Sequence, residues 1–149
     1  ETRFLMEKGF KPMKSAEAWQ MSNAPVLTMA AHKASVDIFD EVGMQALIEK
    51  QKQLSGYLEF VVEDINSQKG FTNPKDKGLE NITPRAWNER GCQVSIVANG
   101  YGRPIFDHLM KEGVIADWRE PNVIRLAPVP LYNSFEDVYH FGKILSAVL

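Results

Sequence analysis

Between Met44 and Ile65 apolar residues recur at three- and four-residue steps: Met44, Leu47, Ile48, Leu54, Leu58, Val61, Val62 and Ile65. A pattern held over about six turns predicts a long amphipathic helix. Glu49, Lys52, Glu59 and Glu63 are expected on its opposite face. Such a stripe has to be buried against a second layer, and the sequence offers one further on. In Cys92-Gln93-Val94-Ser95-Ile96-Val97-Ala98 the residues Cys92, Val94, Ile96 and Ala98 alternate with more polar neighbours, the pattern of a strand in a sheet with one covered face. On that reading Cys92 opens the strand on its apolar side as a buried structural thiol.

The flanking segments complete the expectation. From Phe4 to Trp19 no period holds, and short extended pieces joined by turns are expected. After Ser22-Asn23-Ala24-Pro25, Leu27, Ala31, Ala34, Ile38 and Val42 share a helical face, with Asn23 suited to cap and Pro25 to the first turn, and Gly43 ends the helix. Ser67 to Pro84, rich in Gly, Asn and Pro, reads as a long surface loop. Asn99-Gly100-Tyr101-Gly102 turns the chain. Pro104 to Lys111 reads as a short helix pairing Ile105 with Leu109 and Phe106 with Met110, with Gly113 as its left-handed cap. Val114 to Trp118 and Val123 to Ala127 read as strands joined through Glu120-Pro121-Asn122. Ser134 precedes a last helix with Val138, Phe141, Leu145 and Val148 inward and Asp137 at the carboxylate position of a capping box. The fold class is α+β: two N-terminal helices, then a small, mainly antiparallel sheet covered by helices on one face.

Composition narrows the function. With 17 Lys+Arg against 19 Asp+Glu, the net charge of -2 argues against nucleic acid or an anionic membrane as partner. No apolar run approaches the length of a membrane span. The single cysteine excludes an internal disulfide and suits a reducing compartment, so a cytoplasmic location is expected. His32, His108 and His140 lie far apart, with no His-x-x-x-His or Cys-x-x-Cys spacing, and no metal site is expected. Gly100-Tyr101-Gly102 lacks the third glycine and the lysine of a phosphate loop and reads as a turn. A chain opening on Glu1-Thr2-Arg3 without methionine suggests a cut or processed protein.

Two places carry chemistry. Along Val123-Ile124-Arg125-Leu126-Ala127 the alternation sends Ile124 and Leu126 to the core and Arg125 to the other face, beside small Val123 and Ala127. Arg125 is then either a solvated arginine on an open sheet face or a forked clamp for a carboxylate. Ser22-Asn23 is either a helix cap or a pair of hydrogen-bonding groups at a helix N-terminus, where an anion or a polar ring substituent is favoured.

Trp19-Gln20-Met21-Ser22-Asn23-Ala24-Pro25, Arg90-Gly91-Cys92-Gln93-Val94-Ser95 and Asn122-Val123-Ile124-Arg125-Leu126-Ala127-Pro128-Val129-Pro130-Leu131-Tyr132-Asn133-Ser134-Phe135 together resemble kynureninase, over nearly the whole chain and in the same order. The resemblance is to the C-terminal part of that family. It implies the small domain of a pyridoxal-phosphate enzyme of the aspartate aminotransferase fold, which hydrolyses kynurenine or its 3-hydroxy form to anthranilate or 3-hydroxyanthranilate and alanine in tryptophan catabolism. Residues 1–23 would be the trailing segment of the large cofactor domain and 24–149 the small domain. Arg125 matches the arginine that holds the substrate carboxylate, Ser22 a residue beside the substrate aryl group, and Asn23 an asparagine of the cofactor pocket.

The family's cofactor lysine lies in a Tyr-Lys motif, and no such dipeptide occurs in this sequence. Lys8, Lys11, Lys14 and Lys33 do not match it. The chain alone is therefore expected to carry no catalytic residue, to bind no pyridoxal 5'-phosphate and to be inactive. A missing N-terminal large domain and a homodimer are the implied partners. Two other readings stand beside this one: the small domain of another class V aminotransferase-like enzyme, or a stand-alone α+β module that binds a small carboxylate through Arg125. An exposed apolar surface is expected around Val26, Leu27, Phe4 and Phe10.

Overall fold

A computed structural model of the chain describes Leu5 and residues 8–149. The chain divides into two compact units, residues 1–41 and 42–149. In the first, a 3-10 turn, Ala16–Trp19, precedes helix α1, Val26–Val42, whose last residue falls in the second. The helix starts at Val26, so Pro25 rather than Asn23 holds the N-cap position, and the Pro25 carbonyl accepts the Met29 N–H at 2.9 Å. Lys33 and Asp37, one turn apart, form an ion pair on its surface at 2.7 Å. None of the α1 side chains is buried, and Val26, Leu27 and Phe10 are exposed. Phe4 lies outside the described residues.

The second unit is the expected α+β domain. Its long helix α2 runs Met44–Gln68 and buries Leu47, Leu54, Leu58, Val62 and Ile65 of the stripe written in the sequence, while Met44 and Ile48 are exposed and Val61 is partly buried. The sheet follows as β1 (Gly78–Asn81) and β2 (Val94–Asn99); after helix α3 (Arg103–Lys111) come β3 (Asp117–Arg119) and β4 (Val123–Leu126), and helix α4 (Phe135–Val148) closes the chain. All pairings are antiparallel, in the order β1-β2-β4-β3. Alternation decides what each strand buries. Val94, Ile96 and Ala98 on β2, with Ile124 and Leu126 on β4, enter one apolar cluster with α2, with Ile105, Phe106 and Leu109 of α3, and with Val138, Phe141 and Leu145 of α4. Each such large side chain contributes about 1.5–3 kcal/mol by burial.

Several expectations are corrected. The segment Ser67 to Pro84 is not all loop, because Gly78–Asn81 pairs with β2. Asn66, near the end of α2, completes its outer edge: the Asn66 side-chain amide donates to the Leu79 carbonyl at 2.8 Å, and Asn66 Oδ1 accepts the Leu79 N–H at 3.0 Å. Gly78, at φ +129°, is where a Cβ would stand 3.0 Å from Asn66 Oδ1 and from the Phe71 ring. Cys92 does not open β2. It precedes the strand, half-buried, because its carbonyl is turned to α2 and accepts the Ser55 hydroxyl at 3.3 Å. Glu59 is not on a solvated face: it is buried, accepts from Asn81 Nδ2 at 2.9 Å and is paired with Arg90. The strand expected from Val114 is β3, which begins only at Asp117, since Val114 N–H still bonds the Leu109 carbonyl at 2.9 Å in the left-handed closure at Gly113. Met110 is exposed rather than paired inward.

The last helix begins as expected. The Asp137 N–H donates to Ser134 Oγ at 3.2 Å while the Ser134 N–H donates to the Asp137 carboxylate at 2.7 Å, a full capping box. Helix α4 then crosses α2 so closely at Gly142 that a Cβ there would stand 2.5 Å from Val61 Cγ1.

Candidate functional site

The hairpin β3–β4 places Arg125. Its three-residue connection, Glu120-Pro121-Asn122, sets a register in which Asp117 stands directly opposite Arg125 on one side. Ser95 stands opposite it on the other. Ser95 directs its own backbone groups toward β1, its carbonyl accepting the Ile82 N–H at 3.0 Å and its N–H donating to Thr83 Oγ1 at 2.7 Å. Facing Arg125 it is therefore in a non-hydrogen-bonded pair, the arrangement that brings side chains nearer. With Ile124 and Leu126 buried, Arg125 emerges on the opposite sheet face with its side chain 32% exposed.

The guanidinium is neither free in solvent nor fully occupied. Asp117 Oδ2 accepts from Arg125 Nε at 2.5 Å and from Arg125 Nη2. The same oxygen lies 3.2 Å from Arg119 Nη2. One carboxylate thus serves two arginines, and the cluster carries a net charge of +1. Among the described residues Arg125 Nη1 donates to no protein group. The end of the fork, formed by Nη1 and the remaining Nη2 hydrogen, has the geometry that takes a second carboxylate in two parallel hydrogen bonds. Sequence reasoning did not single out Asp117; the signal available was its position eight residues before Arg125 across a three-residue turn.

Ser22 and Asn23 are exposed residues of the first unit, just ahead of α1. Neither they nor Arg125 line a groove of about 580 Å³ in the second unit, which has Val114, Leu126, Pro128 and Phe141 together with Glu112, Asp137 and His140 in its walls. Ser22 and Asn23, both exposed, do not by themselves make a cradle for a pyridine ring and phosphate. Among them no group of three or more His, Cys, Asp or Glu is placed to hold a metal ion. No described helix is long and apolar enough to cross a membrane. Arg90, of the second matching segment, is a packing residue: its side chain is 1% exposed, pairs with Glu59 and lies over the Trp87 ring at 4.8 Å.

A model of the kynureninase C-terminal domain matches residues 47–145. The chain belongs to that family. The kynureninase of Christiangramia forsetii is 54% identical over 145 residues and that of Flavobacterium psychrophilum 52% identical over 146, each alignment covering 97% of this chain and 33% of the relative. The Koribacter versatilis kynureninase is 46% identical over 141 residues, 95% of this chain and 31% of its own length. This kynureninase C-terminal domain spans about a third of the length of the relatives it matches. The matched stretch takes in most of α2, the whole sheet, α3 and most of α4, the same elements that build the core and carry Arg125.

Proposed function

We propose that this chain is the substrate-carboxylate-holding part of a pyridoxal-phosphate-dependent kynureninase, which hydrolyses kynurenine or 3-hydroxykynurenine to the corresponding anthranilate and alanine. Residues 1–23 then continue a large cofactor domain, 24–149 form the small domain, and the intact enzyme is a cytoplasmic homodimer. The observation that carries this reading is the open end of the Arg125 fork on the uncovered face of the sheet. In the intact enzyme the cofactor supplies the electron sink for cleavage. This chain's part is orientation: a planar, doubly bonded carboxylate fixes the amino acid about one end, whatever its side chain. Ser22 at the aryl end and Asn23 toward the cofactor complete the assignment, each offering a short polar side chain ahead of a helix N-terminus.

The test joins this chain to the N-terminal two-thirds of the Christiangramia forsetii kynureninase and follows anthranilate released from kynurenine. Hydrolysis is expected, and Arg125→Lys should lower kcat/KM by about ten- to a hundred-fold, the value of one charge-assisted hydrogen bond, because lysine offers a point charge in place of a plane. A folded, cofactor-loaded joined enzyme that releases no anthranilate counts against the proposal. So does an Arg125→Lys variant with unchanged kcat/KM.

A further inference from the structure

We propose that Asp117 is a positioning residue for Arg125, holding its guanidinium by the Nε edge so that the Nη1/Nη2 end is aimed before any carboxylate arrives. The inference rests on the reading of Arg125 given above. Three observations carry it. A single oxygen, Asp117 Oδ2, takes both Nε–H and one Nη2–H, which fixes the plane and the rotation of the fork and leaves its far end open. The two residues are register partners on adjacent strands, so the aim is set by the sheet. Asp117 Oδ2 is in turn held by Arg119, which lies on the same side of β3 two residues on.

Charge and geometry make opposite forecasts for the loss of Asp117. Removing the carboxylate raises the cluster from +1 to +2, which on charge alone strengthens attraction for an anion. It also frees a long side chain to rotate, so that order must be gained on binding. The geometry favours the second effect, because the side chains of the cluster are from 32% to 60% exposed, where solvent screens charge. Asp117→Asn separates the two: its amide oxygen still accepts from Nε and Nη2 while the charge is lost. Asp117→Glu does the converse, keeping the charge while displacing the oxygens by one methylene.

The experiment uses two probes on the cofactor-loaded joined enzyme: 4-(2-aminophenyl)-4-oxobutanoate, which carries a carboxylate, and 2'-aminobutyrophenone, which lacks it. The ratio of their affinities by calorimetry reports what the carboxylate contributes, and urea midpoints confirm folding. Asp117→Glu and Asp117→Ala should each lower the ratio by about tenfold, the equivalent of one charge-assisted hydrogen bond. Asp117→Asn should stay within about threefold of the parent, a small fraction of such a bond. An unchanged or increased ratio in Asp117→Glu, or in a folded Asp117→Ala, overturns the positioning role while Arg125→Ala still collapses the ratio. If Arg125→Ala leaves the ratio intact, the carboxylate reading of Arg125 falls, and this inference with it.

Discussion

Asn66 acts as a strand partner from the end of a helix, its amide closing both backbone bonds of Leu79 where β1 has no neighbour. Both groups are buried, so Asn66→Ala leaves one N–H and one C=O without partners. At about 1–3 kcal/mol for each unsatisfied group, the variant should lose roughly 2–6 kcal/mol, read as a lower urea midpoint. A loss under about 0.5 kcal/mol would show that water replaces the amide at this edge. Nothing near Asn66 in the sequence announces this role, since its partner is thirteen residues away in a segment that reads as loop. Arg125 is the contrary case. Its direction follows from the period of two along Val123 to Ala127, because Ile124 and Leu126 leave it only one face. Its partner Asp117 requires the register across Glu120-Pro121-Asn122, which alternation within one strand does not contain. Glu59 shows a third situation: helical period assigns it outward, and only Asn81 and Arg90, brought in from other segments, give a buried carboxylate its bonds.

Among the elements, those with long patterns were legible and those made by pairing alone were not. Helices α2 and α4 stand where their apolar periods predict; β1, with Leu79 as its one large apolar residue among Gly78, Glu80 and Asn81, is made a strand by its neighbour β2. The start of α4 is local chemistry and has a pH signature. The Ser134 N–H bonded to its carboxylate, with help from the Asn133 side chain and the Ser134 hydroxyl, holds the Asp137 pKa below its ordinary 3.8. A carboxyl lowered on folding contributes stability above its unfolded value and loses that contribution as pH falls through the folded value. Asp137→Ala should therefore lower the urea midpoint at neutral pH, and the gap from the parent should narrow as pH drops below 3.8. A gap of constant size down the whole acid limb would assign the loss to something other than the ionised cap.

At the scale of the whole molecule, every buried apolar side chain among the described residues falls between Leu47 and Leu145, nearly the span matched by the family model. Residues 8–42 contribute none, and Phe10 and Trp19 are more than 80% exposed, with Phe39 37% exposed. Limited chymotrypsin digestion should thus cut at Phe10, Trp19 and Phe39 first and leave a resistant product covering the second unit. Equal protection of those three bonds and of the core would refute this. The strand order has its own consequence for how the candidate site moves. β4, last strand in the chain, lies inside the sheet with β2 on one flank and β3 on the other. Alternate β4 residues bond to opposite flanks, so the Ile124 and Leu126 amides, which face β2, belong with the slowest to exchange with deuterium, whereas those of Val123 and Arg125 face the three-residue edge strand β3 and exchange as it frays. Arg125 thus stands between two residues anchored to β2 and takes its aim from Asp117 on a short edge strand, so the orientation of its fork can relax while the strand that carries it stays in place.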